Sequence, residues 1–429
     1  MLIFPFLILF LSNTHFISCF LHEIPLMNNP TPISTSINPS SFYTLPISIG
    51  TPSQTFNVII ATGSSNLIIA DRTSNINTTN KYNASESQTS YNTNQIQFFP
   101  FLDHSLSYGN IYTDTISIGT NLTVASFQFA SLIYGSFNPS AINDGILGMN
   151  QNNTNIIPLL KDNSVITHNI FSLYDPETSN GTSFMYVGGI HPNFTNENNV
   201  VSCNVTENNA SYWKCNASHI IITNNNVTSR TIDLNETVIE FEEEVIFDSG
   251  SNAFMFPHTY EQHFIAKLNS SKCKVEIVNE DIEYITCDKE SISDIHIVIN
   301  KYALKIKKEN IWEAIEDEDG NVVYGLNVFF SRNEKNVIVG MQMFKGYHVL
   351  FDKEENQIKF YTHNKGFIVK TKNEVSLLLV VLLSVAGALI ILTEILLLYH
   401  FLCKKKSEFN SNASTIENVN SGPLVENQQ

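Results

Sequence analysis

Short apolar runs broken by Gly, Asn or Pro recur along most of this chain, and the pattern predicts strands. The runs include "YTLPISIG" (43–50), "FNVIIA" (56–61), "TISIG" (115–119), "FQFASLIYG" (127–135) and "SFMYVGG" (183–189). They continue with "HIIIT" (219–223), "EVIFDSG" (244–250), "DIHIVIN" (294–300), "NVIVG" (336–340), "YHVLFD" (347–352) and "IKFYT" (358–362). Many short strands separated by turn residues indicate an all-β body. Helical periodicity is confined to "TYEQHFIAKLN" (259–269) and "KENIWEAIED" (308–317). Residues 20–41 are rich in Pro, Ser and Asn and read as an extended arm.

Two apolar runs break this pattern by length. Residues 1–19, with "LIFPFLILFL" at 2–11, fit a secretory signal peptide cleaved near Ser18 or Cys19. Residues 375–403 are long and apolar enough to cross a bilayer. The triple lysine 404–406 follows at once and predicts a cytoplasmic tail, 404–429. The implied protein is a type I single-pass protein of the secretory pathway. Its ectodomain is outside or lumenal, 366–374 is a juxtamembrane stalk, and the cell surface and the endolysosomal system are equally compatible. Glu394, inside the run, reads either as a partner contact or as a carboxylate reaching the cytoplasmic face.

Composition narrows the picture. The 429 residues are 43% hydrophobic, enough for one large or two medium cores. With only 15% charged residues and a net charge of −17, no basic stripe exists for nucleic acid. Of the 6 cysteines, Cys19 belongs to the signal and Cys403 to the membrane boundary. Cys203, Cys215, Cys273 and Cys287 remain, and an oxidising compartment implies two disulfides. Sequence-local pairing, Cys203–Cys215 and Cys273–Cys287, is the first choice among three connectivities. No cysteine spacing resembles a zinc site, so neither metal nor cofactor is expected. Asn-x-Ser/Thr sequons from Asn77 to Asn269 predict a glycoprotein with exposed loops.

The chain also repeats itself. "IIATGSSNL" (59–67) leads to "DGILGM" (144–149), and "IFDSGSNAFMFP" (246–257) leads to "NVIVGM" (336–341). Each half carries a Ser/Thr-Gly-Ser loop and then an apolar-apolar-Gly segment, which predicts a duplicated β lobe with a cleft where the loops meet.

These segments resemble the pepsin-like aspartic proteases, the cathepsin D and pepsin group. "FYTLPISIGTPSQTFNVIIATGSSNLII" is similar to that family's first strands and first active-site loop. "DGILGM", "NIFSLYDPETSNGTSFMYVGGIHP", "VIFDSGSNAFMFP" and "NVIVGMQMFKGYHVLFDKEENQIKFYT" follow in the family's order over residues 42–362. The resemblance implies a bilobal fold with a deep cleft between two related β lobes, 42–190 and 191–365. It also implies peptide or protein as the ligand in the cleft. The family's chemistry needs two carboxylates that hold one water and share one proton, one acting as base and the other as acid.

Carried over by position, Asp248 is the second carboxylate and Ala61 stands where the first belongs. The loop frame is Thr62, Gly63, Ser64, Ser249, Gly250 and Ser251. A methyl group neither accepts a proton nor binds the water, and losing an essential catalytic carboxylate costs orders of magnitude in rate. Asp71 and Asp103 are the next acidic residues, and neither lies on the loop. "LSYGN" resembles the flap, with Tyr108 as the flap tyrosine and Gly109 beside it, followed by a hairpin tip shortened relative to the family. Ile68 replaces the tryptophan that supports that tyrosine. "LHEIPL" (21–26) resembles the start of a prosegment, yet residues 20–41 hold no Lys or Arg to cap a charged pair. Glu242–Glu244 reads as a solvated turn, and His104 and His348 as loop or surface histidines.

Two functions are consistent with these residues. One is a pseudoprotease, a membrane-anchored aspartic-protease-like protein that binds peptide or protein without cutting. The other is an active aspartic endopeptidase with an unusual site, or a sequence with an altered codon at Ala61. No motif specifies the ligand, the organelle or the oligomeric state.

Overall fold

Parallel strands covered on both faces should read as unbroken apolar runs, and half-covered strands as alternating ones. In the computed structural model Tyr43–Ile49 alternates, with Pro46 turned out, whereas Leu67–Ala70, Gly145–Gly148 and Val337–Val339 are buried at every residue. Gln54–Ala61 changes from one regime to the other along its length and is fully buried where it ends at Ala61. The structure describes residues 21–28, 42–101, 105–135, 143–176, 181–194, 200–206, 211–223, 231–232, 238–268, 273–278, 280–290, 294–316, 320–362, 368–371 and 377–417. The expected signal peptide, residues 29–41 of the arm, Asp103 and His104 lie outside the described residues.

The two halves share one topology. The first sheet runs in the order Met27–Asn28, Tyr43–Ile49, Gln54–Ala61, Gly145–Gly148, Leu67–Ala70, Leu122–Gly135, Leu106–Ile118, Tyr91–Pro100. The second sheet contains the run Lys214–Thr223, Val238–Phe247, Val337–Val339, Phe254–Pro257, Val322–Ser331, Ile282–Cys287, Lys274–Ile277. Strand by strand the directions agree. Gln54–Ala61 is parallel to Gly145–Gly148 as Val238–Phe247 is to Val337–Val339. Leu67–Ala70 is antiparallel to the one as Phe254–Pro257 is to the other. The repeat is therefore a duplicated lobe, in which Ala61 ends one of two equivalent strands and Asp248 directly follows the other.

A third, six-stranded sheet joins the halves. Ile170–Tyr174 pairs antiparallel with His348–Asp352, and His22–Pro25 of the N-terminal arm adds to one edge against Phe184–Val187. Trp213, fully buried, crosses between the lobes: its indole N–H donates to the Met149 carbonyl at 2.8 Å and its ring meets Phe171 and Phe351. Both expected disulfides, Cys203–Cys215 and Cys273–Cys287, are formed.

Several local expectations are corrected. Of the expected helix 308–317, residues 308–316 make one helical turn, Lys308–Ile311, and then the strand Trp312–Glu316, because Trp312 and Ile315 pair into the sheet against Val322–Ser331. Glu242–Glu244 lies within the strand Val238–Phe247 rather than in a turn, and Glu244 is paired with Lys214 across the ladder. His348 is not at the surface: it is fully buried beneath Tyr174, Tyr186 and Phe194, with Nε2 2.6 Å from Ser172 Oγ. Residues 368–371 of the expected stalk form a strand beside Tyr302–Lys307.

Residues from Lys372 onward form a separate unit. Its helix, Leu377–Glu417, carries an apolar stretch Ser384–Leu402 of 19 residues with mean hydropathy 2.1, long and apolar enough to cross a membrane. At 1.5 Å per residue that stretch spans about 28 Å, close to a bilayer's hydrocarbon thickness.

Candidate active site

The two Ser/Thr-Gly-Ser loops meet where the equivalent strands end. Each loop closes on itself alike: Ser64 N–H donates to the Ala61 carbonyl and Ser251 N–H to the Asp248 carbonyl, both at 3.2 Å. The hydroxyls then cross over. Thr62 Oγ1 donates to the Phe247 carbonyl at 2.7 Å and accepts from Ser249 N–H at 2.9 Å. In mirror image, Ser249 Oγ donates to the Ile60 carbonyl at 2.7 Å and accepts from Thr62 N–H at 3.2 Å. Thr62 and Ser249 are both 0% exposed, so these four bonds satisfy backbone groups that water does not reach.

Glycine is required at the centre of each loop. A Cβ built on Gly63 would lie 2.3 Å from Asp248 Oδ2, and one on Gly250 would lie 2.5 Å from the Ala61 Cβ. Each loop thus presses its glycine against the residue at the end of the other lobe's strand.

Asp248 is partly exposed, and its Oδ1 accepts from Gly250 N–H at 2.8 Å and Gly63 N–H at 2.9 Å. Gly250 lies two residues after Asp248, and Gly63 two residues after Ala61. The single carboxylate therefore takes its own loop's amide and also the amide that the mirror relation assigns to position 61. Burial pushes the Asp248 carboxyl above the ordinary carboxylate range, against the opposing pull of the Gly250 and Gly63 amides.

This has a consequence for stability. The folded chain holds the Asp248 proton more tightly than the unfolded chain. The group's favourable contribution is complete below its ordinary pKa of 3.8 and is lost as pH rises through the raised value. Asp248→Asn keeps an oxygen for both amides and removes the charge. Its melting temperature should exceed the wild type's at neutral pH, and the gap should close on acidification. A gap that does not change with pH would contradict the assignment.

Ala61 is 3% exposed and belongs to an apolar cluster with Ile59, Ile68, Ala130, Leu132 and Ile146, against which Phe99 and Phe101 pack. Those phenylalanines come from the hairpin formed by Tyr91–Pro100 and Leu106–Ile118. The hairpin corrects the expected flap. Its turn, closed by Phe101 N–H on the Ser105 carbonyl at 2.9 Å, precedes Tyr108 instead of following it. Tyr108 and Gly109 lie on the outgoing strand, Tyr108 opposite Phe98 and stacked on Tyr134 at 5.5 Å. "IQFFP" ends the incoming strand, and the Pro within it hid the strand from the pattern. Asp71 is engaged elsewhere, accepting from Thr73 N–H, Thr73 Oγ1 and Ser131 Oγ.

Sequence reasoning missed a second polar cluster, His258, Glu261 and Glu283, whose ligating atoms lie within 4.8 Å of one another. Its one sequence signal is the His-x-x-Glu spacing of His258 and Glu261; Glu283 arrives only through the sheet.

Comparison with known proteins agrees with the geometry. Residues 42–363 match the family described as Eukaryotic aspartyl protease. Pepsin A of Gallus gallus is 26% identical over 325 residues, covering 73% of this chain and 82% of that protein.

Proposed function

Because this chain belongs to the eukaryotic aspartyl protease family, we propose that it is a membrane-anchored pseudoprotease that binds peptide or protein segments between its lobes without cutting them. The observation that carries this reading is the pairing of Ala61 with Asp248 at mirror-related strand ends. Acid proteolysis by this family's chemistry needs a proton shared between two carboxylates, one to activate water and one to protonate the substrate carbonyl. Asp248 alone can hold a water or a substrate amide, but among the described residues no second carboxylate is placed to take up the proton it would give. Asp71, committed to Thr73 and Ser131, does not substitute. The buried apolar cluster around Ala61 offers no polar group that would order a catalytic water at that position.

The apolar stretch Ser384–Leu402 and the lysines after it support a single-pass anchor with the β body outside or lumenal. The paired cysteines and the sequons fit a glycosylated ectodomain of the cell surface or the endolysosomal system. The full chain in detergent, incubated at acid pH with a broad peptide library, should give no cleavage above an Asp248→Ala control, while retaining saturable peptide binding. Cleavage that Asp248→Ala abolishes would instead identify a working endopeptidase.

A further inference from the structure

The cluster of His258, Glu261 and Glu283 lies beyond the loops, and nothing in aspartic proteolysis uses it. His258 opens the short 3-10 turn His258–Tyr260, which follows the strand Phe254–Pro257 leaving the Asp248 loop. Glu261 begins the helix Glu261–Lys267, and Glu283 lies on the strand Ile282–Cys287. Glu261 and Glu283 are 6% and 7% exposed, so two carboxylates are buried side by side. Such a pair needs compensating positive charge. Arg332 supplies one charge, on Glu283 Oε1. One oxygen of each carboxylate, Glu261 Oε2 and Glu283 Oε2, faces His258 Nδ1 at 3.2 Å and 3.4 Å.

Those distances are informative. His258 Nδ1 is shielded from solvent and, among the described residues, forms no hydrogen bond with acceptable geometry, although two carboxylate oxygens lie close by. A ring proton would be expected to point at one oxygen; here neither is favoured. Three atoms able to ligate a metal, one nitrogen and two oxygens, instead lie within 4.8 Å of one another. A zinc ion bound tetrahedrally at 2.0–2.2 Å holds neighbouring donors about 3.3–3.5 Å apart. The two spacings from His258 Nδ1, 3.2 Å and 3.4 Å, lie within about 0.1 Å of that range, and the two carboxylate oxygens lie within 4.8 Å of each other. The imidazole side chain is 39% exposed, so the cluster lies next to solvent although its ligating nitrogen is shielded.

We propose that His258 Nδ1, Glu261 Oε2 and Glu283 Oε2 bind a divalent transition metal, with zinc the best match to one nitrogen and two oxygens. Arg332 orients Glu283 from outside the coordination sphere. The ion ties the turn after the strand Phe254–Pro257 to the strand Ile282–Cys287 of the same sheet and so stabilises the second lobe. The site is independent of whether the cleft cuts peptides.

The test uses the full chain in detergent, stripped with EDTA and titrated with zinc sulfate. One zinc per chain is expected, together with a melting temperature raised by a few degrees at saturation, since the ion binds the folded state alone. His258→Gln and Glu261→Gln should each weaken uptake at least tenfold, with melting in EDTA reporting that each variant is folded. Cobalt(II) added to the wild-type chain should give the intense visible bands of a tetrahedral ion, a readout that needs no variant. Absence of stoichiometric zinc uptake, uptake unchanged in both variants, or only the weak spectrum of octahedral cobalt would each overturn the proposal. Magnesium should leave melting unchanged, because the site offers a nitrogen and too few oxygens.

Discussion

Replacing Ala61 with Asp is expected to give the chain acid-pH peptide cleavage roughly 10²- to 10⁴-fold above the wild-type background, the range a positioned acid–base group supplies. The mirror geometry is the reason. Gly250 leaves open the space beside position 61 that Gly63 leaves beside Asp248. Gly63 N–H now donates to Asp248, and it lies two residues after position 61, as Gly250 does after Asp248. The introduced carboxylate can take that amide while Asp248 keeps Gly250. Two carboxylates this close do not both ionise, so the pair should titrate in two separated steps and give an activity peak on the acid side.

The substitution also places a charge next to Ile59, Ile68 and the phenylalanines of the hairpin. A stability loss of about 1–3 kcal/mol is the expected cost of that partial burial. Measuring cleavage of a peptide library by wild type, Ala61→Asp and Ala61→Asp/Asp248→Ala separates the cases. Activity in the single variant that the second change removes assigns the missing function to position 61 alone. An inert but folded Ala61→Asp would mean that substrate positioning has been lost as well, and the hairpin carrying Phe99 and Phe101 would be the place to look.

The parts of this protein that could be read from sequence are those encoded by local pattern. Strand ends at Ala61 and Phe247, the Ser/Thr-Gly-Ser loops and the apolar-apolar-Gly segments all appear as short motifs, and their duplication announced the two-lobe topology. Features that depend on which strands become neighbours were not legible. The hairpin turn was misplaced because Pro100 interrupts "FFPF" and a downstream Tyr-Gly looked like a tip. His348 has nothing in its local sequence to mark burial; Tyr174, Tyr186 and Phe194 cover it from distant positions. Glu283 joins His258 and Glu261 only through sheet pairing, so the candidate metal site had half a motif in the sequence.

Thr62→Val should destabilise the chain by about 2–6 kcal/mol, from two buried backbone groups left unpaired at roughly 1–3 kcal/mol each. Valine matches threonine in shape but removes the bond to the Phe247 carbonyl and the acceptor for Ser249 N–H. Thr62→Ser keeps both bonds and should cost about 1 kcal/mol, for the lost methylene-sized volume. Ser249→Ala should resemble Thr62→Val, since it orphans the Ile60 carbonyl and Thr62 N–H. The double variant should fall short of the sum, because once one crossing fails the loops separate and water reaches the other. Denaturant unfolding of the four chains measures this, and a Thr62→Val chain as stable as wild type would refute it. None of these hydroxyls bonds to Asp248, which is held by glycine amides instead. The frame's bonds go to the backbone of the opposite lobe, so its value to the fold does not depend on a carboxylate at position 61. A chain can therefore lose that carboxylate and still need every other residue of the loop.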